Sequence, residues 1–183
     1  LIEITDHDFQ VVSILSIAAV FLIILFSFKS VTLPIILVSV IELAIMINLG
    51  IAYYTNTSLP FIASVVIGTI QLGATVDYAI LMTTRYRTER YSGKGKKESV
   101  GIALSTSVKS IITSALGFFA ATVGVAVYSE IGIISSLCML LARGALISMA
   151  VVITVLPSLF MLLDKIICKT SAGFVPKDKG KTS

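Results

Sequence analysis

The sequence predicts an all-α, polytopic membrane protein with five transmembrane helices, and three observations carry that reading. Hydrophobic residues make up 56% of the 183 and the mean hydropathy is +1.02, whereas charged residues are only 13%. A soluble domain carries about 25% charged residues. Five apolar stretches each reach the about 20 residues that a helix needs to cross a bilayer. The cations, finally, gather on one side of those stretches.

The elements follow in chain order. Residues 1–8, "LIEITDHD", read as the end of an extracytoplasmic segment and lack the order of a signal peptide. The first span is "FQVVSILSIAAVFLIILFSF", residues 9–28. The second, residues 31–54, holds Pro34 in its first turn, where a missing N–H is tolerated. The polar turn "TNTSL" leads to a third span over residues 60–84, with Pro60 at its start. Residues 85–106 form a basic cytoplasmic loop, and the fourth span covers about 107–128. Within that loop "TERYSGKGKKESVGIALSTS" allows either a short amphipathic helix or a solvated loop; "SGKGKK" lacks the spacing of a phosphate loop. The apolar segment up to Leu163 is long: from Glu130 it would make a helix of about 50 Å against a core of about 30 Å. Its first dozen residues are expected at the interface, so that the fifth span runs over about 142–163. A tilted, protruding helix from 131 is the alternative. Residues 164–183 are read as a basic cytoplasmic tail.

If five spans alternate, 13 of the 14 Lys and Arg residues share one side, and only Arg143 lies within an apolar segment. Loops rich in Lys and Arg stay in the cytoplasm. The expectation is a multi-pass protein of the cell membrane, with its N-terminus outside and its C-terminus cytoplasmic. The net charge of +4 therefore reports membrane orientation and not nucleic acid. Cys138 and Cys168 stand far apart in apolar or basic surroundings and give no disulfide or metal framework. His7, the only histidine, lies outside the spans. No metal site, cofactor or catalytic triad can be assembled, so no enzyme is expected.

An ionisable group at bilayer depth costs about 2.5–3.5 kcal/mol on insertion scales and commonly marks function. Asp77 stands eight residues before Arg85, about 12 Å into the membrane. Thr69 and Gly73 precede it at spacings of four and share its helical face, where small residues admit a neighbouring helix. A carboxylate buried on such a face suits a proton relay, with Tyr78 offering an adjacent hydroxyl; the alternative is an interhelical hydrogen bond only. Glu42 lies near mid-membrane on the second span. It either divides proton duties with Asp77 or bonds to Asn48, Gln71 or backbone. Arg143 is expected as an anchor near the outer interface, or paired with Glu130. In the fourth span Ser110, Thr113, Ser114 and Gly117 recur at spacings of three and four. That stripe is either a hydrogen-bond partner for Asp77 or ordinary close helix packing.

"GATVDYAILMTTRYRTER" resembles a helix motif of the resistance–nodulation–division transporters, in particular their MMPL branch. "ITSALGFFA" is similar to that family's next span and "RGALISMAVVITVLPSLF" to its last helix. The resemblance implies the five-helix part of one half of a two-half transporter, with the C-terminal half favoured. It implies export of lipids or other hydrophobic compounds, driven by protons. By position, Asp77 would carry the proton, Tyr78 would be its hydroxyl partner and Gly73 the close-packing glycine; Glu42 has no counterpart in that pattern. The implied partners are membrane lipids, the other half of the same chain and a hydrophobic substrate. The same unit is also similar to sterol-sensing domains, which bind lipid and regulate without transport. An intramembrane aspartyl protease pairing Asp77 with Glu42 lacks its G-x-G-D arrangement.

Overall fold

The computed structural model describes residues 2–54 and 63–170. The expected polar turn, the start of the third span and the tail beyond Thr170 lie outside these residues. The described residues form five helices and no strand: α1 (Ile2–Phe28), α2 (Thr32–Tyr54), α3 (Ala63–Tyr91), α4 (Lys96–Tyr128) and α5 (Gly132–Thr170). Each contains a stretch long and apolar enough to cross a membrane.

The connections are short because local chemistry ends each helix sharply. Lys29 adopts a positive φ of 49° and closes α1 through its N–H to the Leu25 carbonyl. The Ser30 hydroxyl then accepts the Leu33 N–H at the start of α2, the usual role of an N-terminal cap. After α3, Gly93 stands at φ 83°. Its N–H reaches the Arg90 carbonyl, and the Lys94 N–H reaches that of Glu89. This is the Schellman pattern, which favours glycine at the left-handed position. Gly93→Ala is therefore expected to destabilise the protein by about 1 kcal/mol, read as a lower unfolding midpoint of the purified protein. Lys94 turns back to the Glu89 carboxylate, which holds the ammonium above its ordinary pKa.

This turn revises the sequence reading of residues 85–106. The expected basic loop is almost entirely helical: α3 continues to Tyr91, α4 already begins at Lys96, and only residues 92–95 connect them. At about 44 Å and 50 Å, α3 and α4 are longer than the about 30 Å core. Their excess carries the cations out beyond the apolar layer as helix.

The last apolar segment follows the second of its two readings: α5 is one continuous helix from Gly132 to Thr170, with no separate interfacial segment before residue 142. It runs antiparallel to α2: the Thr32 and Thr170 hydroxyls meet at 2.8 Å, and the Asn48 amide donates to the Leu140 carbonyl at 3.2 Å. Pro157, inside α5, brings no N–H to the helix ladder.

α5 is also the hub, packing against α2, α3 and α4, while α1 lies on α2 and α3 at the periphery. The core runs through Leu37, Ile41, Met82, Ile111, Leu156 and Phe160, all fully buried. α1 leaves Ile14, Leu15, Ile23 and Phe26 exposed, as expected of a lipid-facing helix.

Candidate functional site

Asp77 points away from the bundle. The packed side of α3 is made by Leu72, Thr75, Tyr78, Ala79, Met82 and Tyr86, all buried. At 100° per residue, Asp77 falls nearly opposite their centre. It is exposed and, among the described residues, accepts no hydrogen bond; Gly73, one turn away, is exposed too. A Cβ at Gly73 would meet nothing within 4 Å. At Gly73 and Asp77, the expectation of a neighbouring helix closing this face is therefore not met among the described residues. Tyr78, the expected hydroxyl partner, lies on the packed side. On α4, Ser110, Thr113, Ser114 and Gly117 are likewise exposed. The Thr113 hydroxyl donates to the Lys109 carbonyl of its own helix at 2.9 Å and not to Asp77. Two helices that pack together thus both present small and polar residues outward.

Glu42 occupies separate ground. Half-buried, it lines a small cavity of about 180 Å³ between α1, α2 and α3 together with Ser13, Ser16 and Thr69. The Thr69 hydroxyl is buried there without a partner. Asp77 does not line this cavity, so the structure does not bring the two carboxylates into one site.

Sequence reasoning also overlooked two polar clusters. The first joins α2, α3 and α5. The Asn48 amide donates to Gln71 Oε1 at 2.9 Å, and Gln71 Nε2 donates to the Ser148 hydroxyl at 2.9 Å and the Gly144 carbonyl at 3.3 Å. Arg143 completes it, Nε donating to Asn48 Oδ1 and Nη2 to the Asn48 carbonyl, both at 2.9 Å. Arg143 is thus tied to Asn48, and among the described residues it does not pair with Glu130. Nor do Asn48 and Gln71 serve Glu42; they serve each other. Asn48, Gln71 and Ser148 are each at most 1% exposed. Their presence in apolar spans was the available signal.

The second cluster lies where α3 and α5 reach the basic end. The Tyr86 hydroxyl donates to Asp164 Oδ1, and Arg90 Nη2 donates to Oδ2 at 3.1 Å. Arg90 Nε lies 3.0 Å from Oδ1. The Tyr86 ring stacks on Phe160, centroids 4.6 Å apart and planes 6° from parallel. Asp164, expected to open a solvated tail, is buried. Its spacing of four from Phe160 marks it as part of the packed stripe.

With this geometry in place, the comparison with known families is decisive: residues 1–176 match the MMPL family. The chain belongs to the MMPL family. Membership places it among transmembrane transporters of the resistance–nodulation–division group and points to membrane transport of lipid-like substrates. The comparison with curated proteins finds no matching sequence. In this MMPL chain the carboxylate carried over by motif, Asp77, is left uncovered by the described helices.

Proposed function

We propose that this MMPL chain supplies the five-helix part of one half of a proton-driven exporter that moves a lipid or other hydrophobic compound out across the cell membrane, with Asp77 as the residue that binds and releases the proton. In this reading it is a transporter and not an enzyme, its N-terminus outside and its basic end in the cytoplasm. The observation that supports it is the orientation of Asp77: exposed, deep in an apolar span, on the unpacked side of α3. Left against lipid, that carboxylate would cost about 2.5–3.5 kcal/mol or more. Another protein surface therefore covers it, and the other half of the transporter is the surface the family pattern supplies. Gly73 beside it, with open space where a Cβ would stand, lets that surface come close. A carboxylate held at such an interface meets water and protein alternately as the halves move.

The test is export by the full-length protein, with membrane levels matched, for wild type, Asp77→Asn and Asp77→Glu. Asn keeps size and much of the hydrogen bonding but cannot titrate. Export by Asp77→Asn is expected to fall by about 100-fold, the lower range for loss of a proton-transferring side chain, while Asp77→Glu retains part of it. Unchanged export by Asp77→Asn would make the carboxylate a packing contact.

A further inference from the structure

The groove between α4 and α5 carries chemistry that the proton reading does not use. Its volume is about 510 Å³, and its walls include Phe119, Met139 and Leu146 with Ser136 and Arg143. That volume suits a small or medium ligand. Met139 on its wall is half exposed, so the groove is open to the outside of the bundle.

Arg143 gives the groove its sign. It is the only cation between Gly132 and Leu163. Its two hydrogen-bond partners, the Asn48 side-chain oxygen and the Asn48 carbonyl, are both neutral. Among the described residues no carboxylate pairs with it; the ion pairs are Arg90 with Asp164 and Lys94 with Glu89. Nη1 makes no hydrogen bond, yet it is not among the sealed, partnerless polar atoms, so it remains accessible. A guanidinium partly withdrawn from water with only neutral acceptors keeps an uncompensated charge, which an anion at the accessible Nη1 would pair. Arg pairs with phosphate in short, charge-assisted bonds.

Depth supports a lipid as the source of that anion. Asn48 lies six residues, about 9 Å, from the end of α2 farthest from the basic side. Arg143, bonded to it, therefore sits in the outer part of the leaflet opposite the basic end. There a long basic side chain reaches the headgroup boundary of the bilayer. We propose that the α4–α5 groove binds an anionic membrane lipid, its phosphate on Arg143 Nη1 beside Ser136 and its acyl chain along Phe119 and Leu146. This site is independent of Asp77 and of what the protein exports.

The test is native mass spectrometry of the purified full-length transporter with equal amounts of phosphatidylglycerol and phosphatidylcholine. Wild type is expected to retain phosphatidylglycerol preferentially, and Arg143→Lys to keep part of that preference. Arg143→Gln is expected to weaken retention of phosphatidylglycerol by about tenfold. Ser136→Trp fills the groove without touching the Arg143–Asn48 bonds and is expected to displace the lipid, so the proposal stays open to test even if Arg143→Gln folds poorly. Equal retention of the two lipids by wild type, or an unchanged preference in Ser136→Trp, overturns it. So does displacement of the lipid by excess inorganic phosphate, which would mark a site for small anions.

Discussion

Gly144→Leu is expected to unfold the junction of α2, α3 and α5. A Cβ at residue 144 would lie 2.4 Å from Gln71 Oε1 and 2.6 Å from Asn48 Nδ2, closer than real atoms approach. Both obstructing atoms end flexible side chains, but neither is free to swing aside. Asn48 is bonded to Gln71, to the Leu140 carbonyl and to Arg143, while Gln71 is bonded to Ser148 and the Gly144 carbonyl. Moving either one leaves buried polar groups unpaired, at about 1–3 kcal/mol each. Even Gly144→Ala should lower the unfolding midpoint in detergent clearly, and Gly144→Leu should prevent recovery of folded protein. Gly117→Ala serves as the control, since a Cβ there meets nothing within 4 Å. Equal midpoints for Gly144→Ala and Gly117→Ala would refute the assignment of Gly144 as the residue that makes room for the polar junction.

Asp164→Ala is the second large effect. The substitution removes the carboxylate that takes both the Tyr86 hydroxyl and the Arg90 guanidinium, leaving the Arg90 charge with only the Lys94 carbonyl and the Cys168 sulfur. Breaking a buried ion pair by deleting one partner costs about 3–5 kcal/mol. With side-chain exposures of 19% for Arg90 and 10% for Asp164, solvent screens the pair partly. A loss near the lower end of that range is expected. The double variant Asp164→Ala/Arg90→Gln should recover part of it, because the uncompensated charge leaves with its partner. Strictly additive losses in a thermal unfolding series would mean that the two side chains do not interact.

Much of the architecture was legible because lipid as a solvent makes the code simple: an apolar stretch near 20 residues has one stable form. That logic found five long apolar helices in their order. It read the ends less well. Charged residues such as Arg85, Arg87 and Arg90 mark where a helix leaves hydrocarbon, not where it stops winding. So α3 runs on to Tyr91, and the supposed loop became the first turns of α4. At the candidate site, residue type was readable and direction was not. Asp77 stood out by its charge. Which side of α3 it occupies depends on where the other helices press, and that appeared only when Tyr78 and Thr75 proved to be the buried ones. For Arg143, depth was readable and the partner was not, because Asn48 lies on another helix.

α3 is fastened to α5 on both sides of Asp77. Gln71 holds it to Ser148 and Gly144, and Tyr86 holds it to Asp164. The two fastenings are 15 residues apart, about 22 Å along the helix, and both are on the face turned away from the carboxylate. For α3 to roll and carry Asp77 to a new environment, both would have to shear together. α3 and α5 are thus tied into one unit. On the proposed reading, what Asp77 faces changes when the covering protein moves relative to that unit, and not when α3 turns within it.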